Sequence, residues 1–182
     1  MTLTAAYGLL AHGLICGAIA ALLPLGDLRA RAALAATALA MLVGIAPLLH
    51  GLFGPPSLTL LQLAVLLLAN RTPTTFGYRP ALGLLIVTLP FYAMALGLLP
   101  LDAYALGFQP WPLLAALLPI GLALWWRRQY TWLTVLAIDI LGYAAGIFDN
   151  LWDALVDPLL AGLAALIVLR WQVLRFIASR RR

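Results

Sequence analysis

The stretch "AIDILGYAAGIFDNLWDALVDP", residues 137–158, joins two apolar runs through an acidic connection. It holds four of the six acidic residues in the 182-residue chain. Three of them, Asp149, Asp153 and Asp157, recur at spacings of four, whereas Asp139 lies inside the apolar run that precedes them. The stretch therefore raises two separate questions, one about membrane topology and one about a buried charge.

The composition is that of a membrane protein. Hydrophobic residues make up 65% of the chain and charged residues 9%, and the mean hydropathy is +1.05. Soluble domains carry about 25% charged residues, so a soluble class is excluded. The chain has eleven Arg but no Lys or Glu, a bias typical of a GC-rich bacterial genome. Because the Arg residues lie between apolar segments, we expect membrane lipids and no nucleic acid as partners.

Seven apolar segments approach the roughly 20 residues that a helix needs to cross a bilayer core of about 30 Å. They cover residues of about 4–24, 32–53, 57–70, 81–99, 111–126, 130–148 and 158–177. The sequence therefore predicts an all-α, polytopic transmembrane helix bundle with seven spans, in a single domain over residues 1–182. The third segment is the shortest, which leaves open whether it crosses fully.

Arginine occurs in alternate connections only. It follows the first, third, fifth and seventh segments, at Arg29, Arg31, Arg71, Arg79, Arg127, Arg128 and Arg180–Arg182. The other connections carry Asp102 and the acids of 149–157, without any Arg. By the positive-inside rule this pattern predicts an N-terminus outside and a C-terminus in the cytoplasm, in the bacterial inner membrane.

Small residues and prolines suggest where helices pack closely and where they bend. Rows at every fourth position are Gly13, Gly17 and Ala21; Ala32, Ala36, Ala40 and Gly44; and Gly142 with Gly146. Such rows let helix backbones approach, although Ala- and Gly-rich helices also produce them by chance. We further expect Pro47, Pro90 and Pro119 to kink the second, fourth and fifth spans.

Asp139 is the ionisable group that topology does not explain. At nine residues beyond Tyr130 it lies about 13 Å into the membrane, where a charge is costly and usually faces a partner or a cavity. Arg170, about 9 Å deep in the next span, is the candidate partner. One interpretation makes the pair a substrate- or proton-binding site. The other makes it a structural bond between helices, or leaves Arg170 snorkelling beside a protonated Asp139.

The outer acids have their own alternatives. On a continuous helix Asp149, Asp153 and Asp157 would line one face, which predicts a possible cation site. The string "DNLWDALVD" resembles the Asp-rich motif of UbiA-type membrane prenyltransferases, Asn-Asp-x-x-Asp-x-x-x-Asp, with the first two residues reversed. That resemblance implies a prenyl diphosphate substrate, a cytoplasmic site and a second Asp-rich motif, which this chain lacks. The other interpretation is that exported loops simply tolerate acids.

Two histidines invite comparison with paired haem ligands. Counted along their helices, His12 lies about 12 Å below the outer surface and His50 about 5 Å. Paired axial ligands need nearly equal depth, so we expect no haem and no other cofactor. Nor does the sequence predict a resident metal centre.

No nucleophilic triad or phosphate loop is recognisable in the sequence. The leading hypothesis is a non-catalytic accessory or assembly subunit with a membrane-protein partner. One alternative is a small-solute or proton-coupled carrier that uses Asp139 and Arg170. A second is a membrane-embedded lipid or prenyl enzyme that uses the outer acids, so enzymatic activity stays an open question.

Overall fold

The computed structural model describes residues 3–69 and 76–180. Within these ranges the chain contains no strand and nine α-helices, which confirms the all-α prediction. The helices are α1 (Leu3–Ala20), α2 (Arg29–Leu42), α3 (Ile45–Phe53), α4 (Leu58–Ala69), α5 (Tyr78–Ala95), α6 (Pro110–Trp126), α7 (Tyr130–Ala144), α8 (Leu151–Leu155) and α9 (Pro158–Arg180). Short 3₁₀ turns at Gly26–Leu28 and Tyr104–Gly107 lie in two of the connections.

Among the described residues, three helices are long and apolar enough to cross a membrane. These are α1, α5 and α9, and the α2–α3 pair makes a fourth if it is one bent span. Helices α4, α6 and α7 are apolar but shorter; α4 has 12 residues, a length of about 18 Å. The structure is thus that of a membrane protein with three to four candidate spans.

The predicted second span is broken rather than kinked. Helices α2 and α3 meet at an angle of 71°, around Gly44, whose φ of +84° lies in the left-handed region that glycine tolerates. Pro47 follows three residues later, and it can neither donate to the carbonyl of Val43 nor fit its ring beside that group. Helix α2 therefore ends at Leu42, and Pro47 lies in the first turn of a separate helix, α3. Pro90 and Pro119 lie inside α5 and α6, which continue past them.

The glycine row of α1 packs closely against α2, as predicted. A Cβ atom placed on Gly17 would lie 2.9 Å from the carbonyl oxygen of Ala33, so no larger residue fits there without movement. Gly13 is likewise buried against α2. On α2 the buried alanines are Ala33 and Ala40, whereas Ala32 is only half-buried. The buried row on α2 therefore starts at Ala33 rather than at the predicted Ala32.

The two glycines of α7 have different roles. Gly142 packs against the side chain of Leu58 on α4, where any Cβ would overlap it. Gly146 has a φ of +74° and follows the end of the helix, with open space where a side chain would be. Gly146 is thus a left-handed cap rather than a packing residue, and the predicted row is wrong at this position.

Hydrogen bonds between connections show how the helices run relative to one another. The Tyr7 hydroxyl donates to the carbonyl of Pro56 at 2.8 Å, and the backbone N–H of Ser57 donates to the Asp157 carboxylate. The N-terminal ends of α1, α4 and α9 therefore lie together. We call this the acidic end, formed by the connections 54–57, 96–109 and 145–157, and the opposite end the arginine end.

Candidate functional site

Asp139 lies at the junction between α7 and α4 and is 1% exposed. Its Oδ2 atom accepts a hydrogen bond from the Thr59 hydroxyl at 2.6 Å, and its Oδ1 atom accepts one from the Gln62 amide at 2.8 Å. The same amide nitrogen of Gln62 also donates to the carbonyl of Val135, at 3.1 Å. Both carboxylate oxygens are therefore bound by side chains of one neighbouring helix.

The spacing of these residues explains why they meet. Thr59 and Gln62 lie three residues apart on α4, and Val135 and Asp139 lie four apart on α7, so each pair occupies one helix face. The two helices run antiparallel, which matches Gln62 with both members of the α7 pair. Buried polar groups require such partners, because an unpaired one loses its hydration without compensation. The arrangement can join helices or hold a proton on Asp139.

Arg170 lies elsewhere in the bundle. It is exposed on α9, and within the described part of the chain no ion pair joins it to Asp139. The predicted contact is absent because the sixth and seventh predicted spans pack largely on different helices: α9 packs mainly against α5, whereas α7 packs against α4, α6 and α8. A functional role for either residue stays a prediction.

The three outer acids do not share a helical face. The helix between them, α8, covers only Leu151–Leu155. Asp149 precedes it and is exposed, Asp153 lies within it, and Asp157 follows it and is buried. The predicted cation-binding face is wrong in its geometry, because the chain leaves and re-enters helical conformation between the acids. In the described residues, no three His, Cys, Asp or Glu side chains converge in a way that could hold a metal ion.

Asp157 caps one helix and anchors another. Its Oδ1 atom accepts from the backbone N–H of Leu160 at 2.6 Å, which caps the first turn of α9, and its Oδ2 atom accepts from the N–H of Ser57. The Ser57 hydroxyl in turn accepts from the N–H of Leu60, at 3.2 Å, and caps α4. One carboxylate thus joins two helix N-termini, where the helix dipole favours a negative charge. Asp157 before Pro158 was a readable capping signal that the sequence analysis did not use.

Asp153 is bound to the 3₁₀ turn of the preceding connection. The Tyr104 hydroxyl donates to its carboxylate at 3.0 Å, and the Trp152 indole donates to the carbonyl of Ala103 at 2.9 Å. Burial raises the pKa of the Asp153 carboxyl. Burial and the nearby Asp153 charge raise the pKa of Tyr104 to about 12. Asp153 therefore links α8 to the 3₁₀ turn at the acidic end through a hydrogen bond.

His12 and His50 are neighbours, and the depth comparison that separated them is wrong. Their ring centroids lie 6.1 Å apart, because the break at Gly44 turns α3 back towards α1. The His50 ring occupies the space beside Gly8, where a Cβ would overlap it. The Nδ1 atom of His12 bonds the Gly8 carbonyl at 2.8 Å. Within the described residues, His12 Nε2 and His50 Nδ1 are buried without a hydrogen-bond partner.

No protein-family model, curated protein or solved structure matches the chain. The prenyltransferase resemblance rests on nine residues whose acids occupy three different environments. A shared carboxylate face for a diphosphate and its metal ions does not form there.

Proposed function

We propose that the chain is a non-catalytic accessory or assembly subunit of a larger membrane system. The observation that carries this proposal is the geometry of Asp139, whose two oxygens are both bound by α4. An intramembrane carboxylate is by default a candidate transport site. At this position it joins two short helices instead, because both of its side-chain partners lie on α4. Asp139 also lines neither of the two grooves on the bundle surface, one between α1, α4 and α9 and the other between α6 and α7.

The proposal includes seven crossings with the N-terminus outside and the C-terminus in the cytoplasm of a bacterial cell. Its support is the separation of charge between the two ends of the bundle. The acidic end carries Asp102 and the acids of 149–157, whereas Arg127 and Arg128 lie at the opposite end. The short helices α4, α6 and α7 would then cross where the bilayer is thinned or where a partner covers their ends.

The groove beside α6 offers a surface for a membrane-protein partner. It lies between α6 and α7, has a volume of about 420 Å³ and is lined by apolar residues only. Its walls include Leu118, Gly121 and Trp125 on α6 and Leu133 and Ile140 on α7. Helix α6 packs mainly on α7 and on the 3₁₀ turn at 104–107, and its groove residues Leu118, Leu122 and Trp125 are exposed. A partner helix with small residues fits such a groove by close packing.

Affinity purification of the tagged full chain from its native membranes tests the proposal. We expect a partner in fixed stoichiometry, and Gly121→Trp should reduce its recovery because the indole fills the groove. Gly162→Trp is the matched control, since Gly162 faces open space on α9 and lies outside both grooves. Equal recovery from the two variants would contradict this partner surface.

Reconstitution of the purified chain alone separates the subunit from the carrier. We expect no proton flux into liposomes under an imposed membrane potential, measured with an enclosed pH-sensitive dye. A flux that Asp139→Asn abolishes, in protein that keeps its helix content by circular dichroism, would support the carrier and overturn the subunit proposal.

A further inference from the structure

A larger groove lies between α1, α4 and α9. Its volume is about 480 Å³, and residues three, four and seven apart on each helix form its apolar walls. The first and last wall residues of the three segments are Ile15 and Leu22, Leu60 and Leu67, and Leu163 and Leu174. Because α1, α4 and α9 all start at the acidic end, the three walls run in the same direction.

Arg170 is the one charged side chain among the described residues that line this groove. Its side chain is exposed, and no described residue accepts a hydrogen bond from its guanidinium. Its neighbours Leu166, Ile167 and Leu174 on α9 are apolar wall residues. A cation in apolar surroundings is costly and usually has an anionic partner. The groove therefore combines an apolar surface with one positive charge that is not paired by any side chain in the described ranges.

Aromatic and basic side chains surround the same part of the groove. The rings of Tyr78 and Trp171 stack at 4.0 Å, and both line the groove. The Arg175 guanidinium lies 5.1 Å from the centre of the Trp171 ring. Arg29 donates to the carbonyl oxygen of Ala21 at 3.0 Å, next to the end of the α1 wall. The arginine end of the groove thus presents the mixture of aromatic and basic groups that is typical of a lipid headgroup region.

We propose that this groove binds an anionic phospholipid, with an acyl chain along the apolar walls and the phosphate on Arg170. Arginine binds phosphate through paired N–H donors, so a lipid phosphate would supply the negative charge that the Arg170 guanidinium can pair with. A zwitterionic lipid fits the apolar walls equally well but carries a second charge of the wrong sign near Arg170 and Arg175. The groove should therefore select by headgroup charge. This site is independent of the Asp139 junction and of the proposed partner surface.

Native mass spectrometry of the full chain, titrated with phosphatidylglycerol or with phosphatidylcholine, tests the proposal. We expect tighter retention of phosphatidylglycerol, and Arg170→Gln should weaken it by about tenfold, the effect of losing one charge-assisted contact. Arg127→Gln is the matched control, since Arg127 is an exposed arginine outside the groove and should leave retention unchanged. Equal retention of the two lipids, or an unchanged preference in Arg170→Gln, would overturn the proposal.

A second variant tests where the acyl chain lies. Leu166 lines the groove and is exposed, so Leu166→Trp should fill the groove without disturbing buried packing. We expect it to reduce retention of both lipids, whereas Arg170→Gln reduces that of phosphatidylglycerol alone. Inorganic phosphate added alone should not compete, because it lacks the apolar contacts. Displacement of the lipid by phosphate, or full retention by Leu166→Trp, would contradict an acyl-chain site.

Discussion

The two ends of the bundle carry opposite charges and use them differently. At the acidic end, Asp153 and Asp157 are bound by side-chain and backbone donors, and they join α4, α8, α9 and the 3₁₀ turn at 104–107. At the arginine end, Arg127 and Arg170 are exposed. The charges therefore make structural hydrogen bonds at the acidic end, whereas two of the arginines at the opposite end are exposed.

The difference follows from the reach and shape of the side chains. A short aspartate beside a helix N-terminus accepts backbone N–H bonds directly, as Asp157 does. Arginine is long and keeps its charge at any physiological pH, so it reaches lipid phosphates more readily than it fits a packed junction. Arg29 is an exception, because it donates to backbone carbonyls at the ends of α1 and α4.

The largest effect expected at the acidic end is that of Asp157→Ala. The substitution removes the cap of α9 and leaves the buried N–H of Ser57 without its acceptor. We expect a loss of about 3 kcal/mol in the free energy of unfolding, the sum of a cap and an unpaired buried donor. Unfolding in mixed detergent micelles measures it. Asp149→Ala, at an exposed acid of the same connection, should change little, and equal losses would contradict the distinction between the two acids.

Arg29→Gln tests the arginine end. It removes the guanidinium that donates to Ala21 and Leu67, at 3.0 and 2.5 Å. Because these carbonyls lie near helix ends, where lipid headgroups or water can replace the donor, we expect a loss of about 1 kcal/mol. The same unfolding assay applies, with Arg127→Gln as the control. A loss larger than that of Asp157→Ala would reverse the comparison between the ends.

The smallest effect concerns alkaline pH. The pKa of Tyr104 is about 12 in the folded chain, above the value near 10 of an unfolded tyrosine. Its contribution to stability is therefore full below pH 10 and is lost as the pH rises towards 12. We expect the stability of the unsubstituted chain to fall more steeply over this range than that of Tyr104→Phe. Parallel curves for the two proteins would show that the contact with Asp153 does not stabilise the fold.

The sequence predicts helices well and their partners poorly. Hydropathy located all seven apolar segments in which helices occur, because their composition alone requires burial in protein or lipid. The break at Gly44 was missed, since a left-handed glycine before Pro47 is decided by local backbone geometry rather than by apolar content. The contact between His12 and His50 was missed for the same reason.

The partners of Asp139 depend on packing between distant parts of the chain. Thr59 and Gln62 lie 80 and 77 residues away from it in sequence. They are the polar side chains of α4, a signal that was present in "LTLLQLAVLLLA" but had no partner until α4 was placed beside α7. Adjacency in sequence favours Arg170 as the partner of Asp139, because consecutive antiparallel spans often pack together, whereas α7 and α9 pack largely on different helices.

The most direct test of the account is a double-mutant cycle between Asp139 and Gln62. If Asp139 joins α7 to α4 through Gln62, Asp139→Ala and Gln62→Ala should remove the same interaction. We expect a coupling free energy of about 1 kcal/mol, within the range of hydrogen bonds between membrane helices, measured by unfolding in mixed micelles. Strictly additive losses would show that the two residues do not stabilise the junction together, and would contradict the structural role of Asp139.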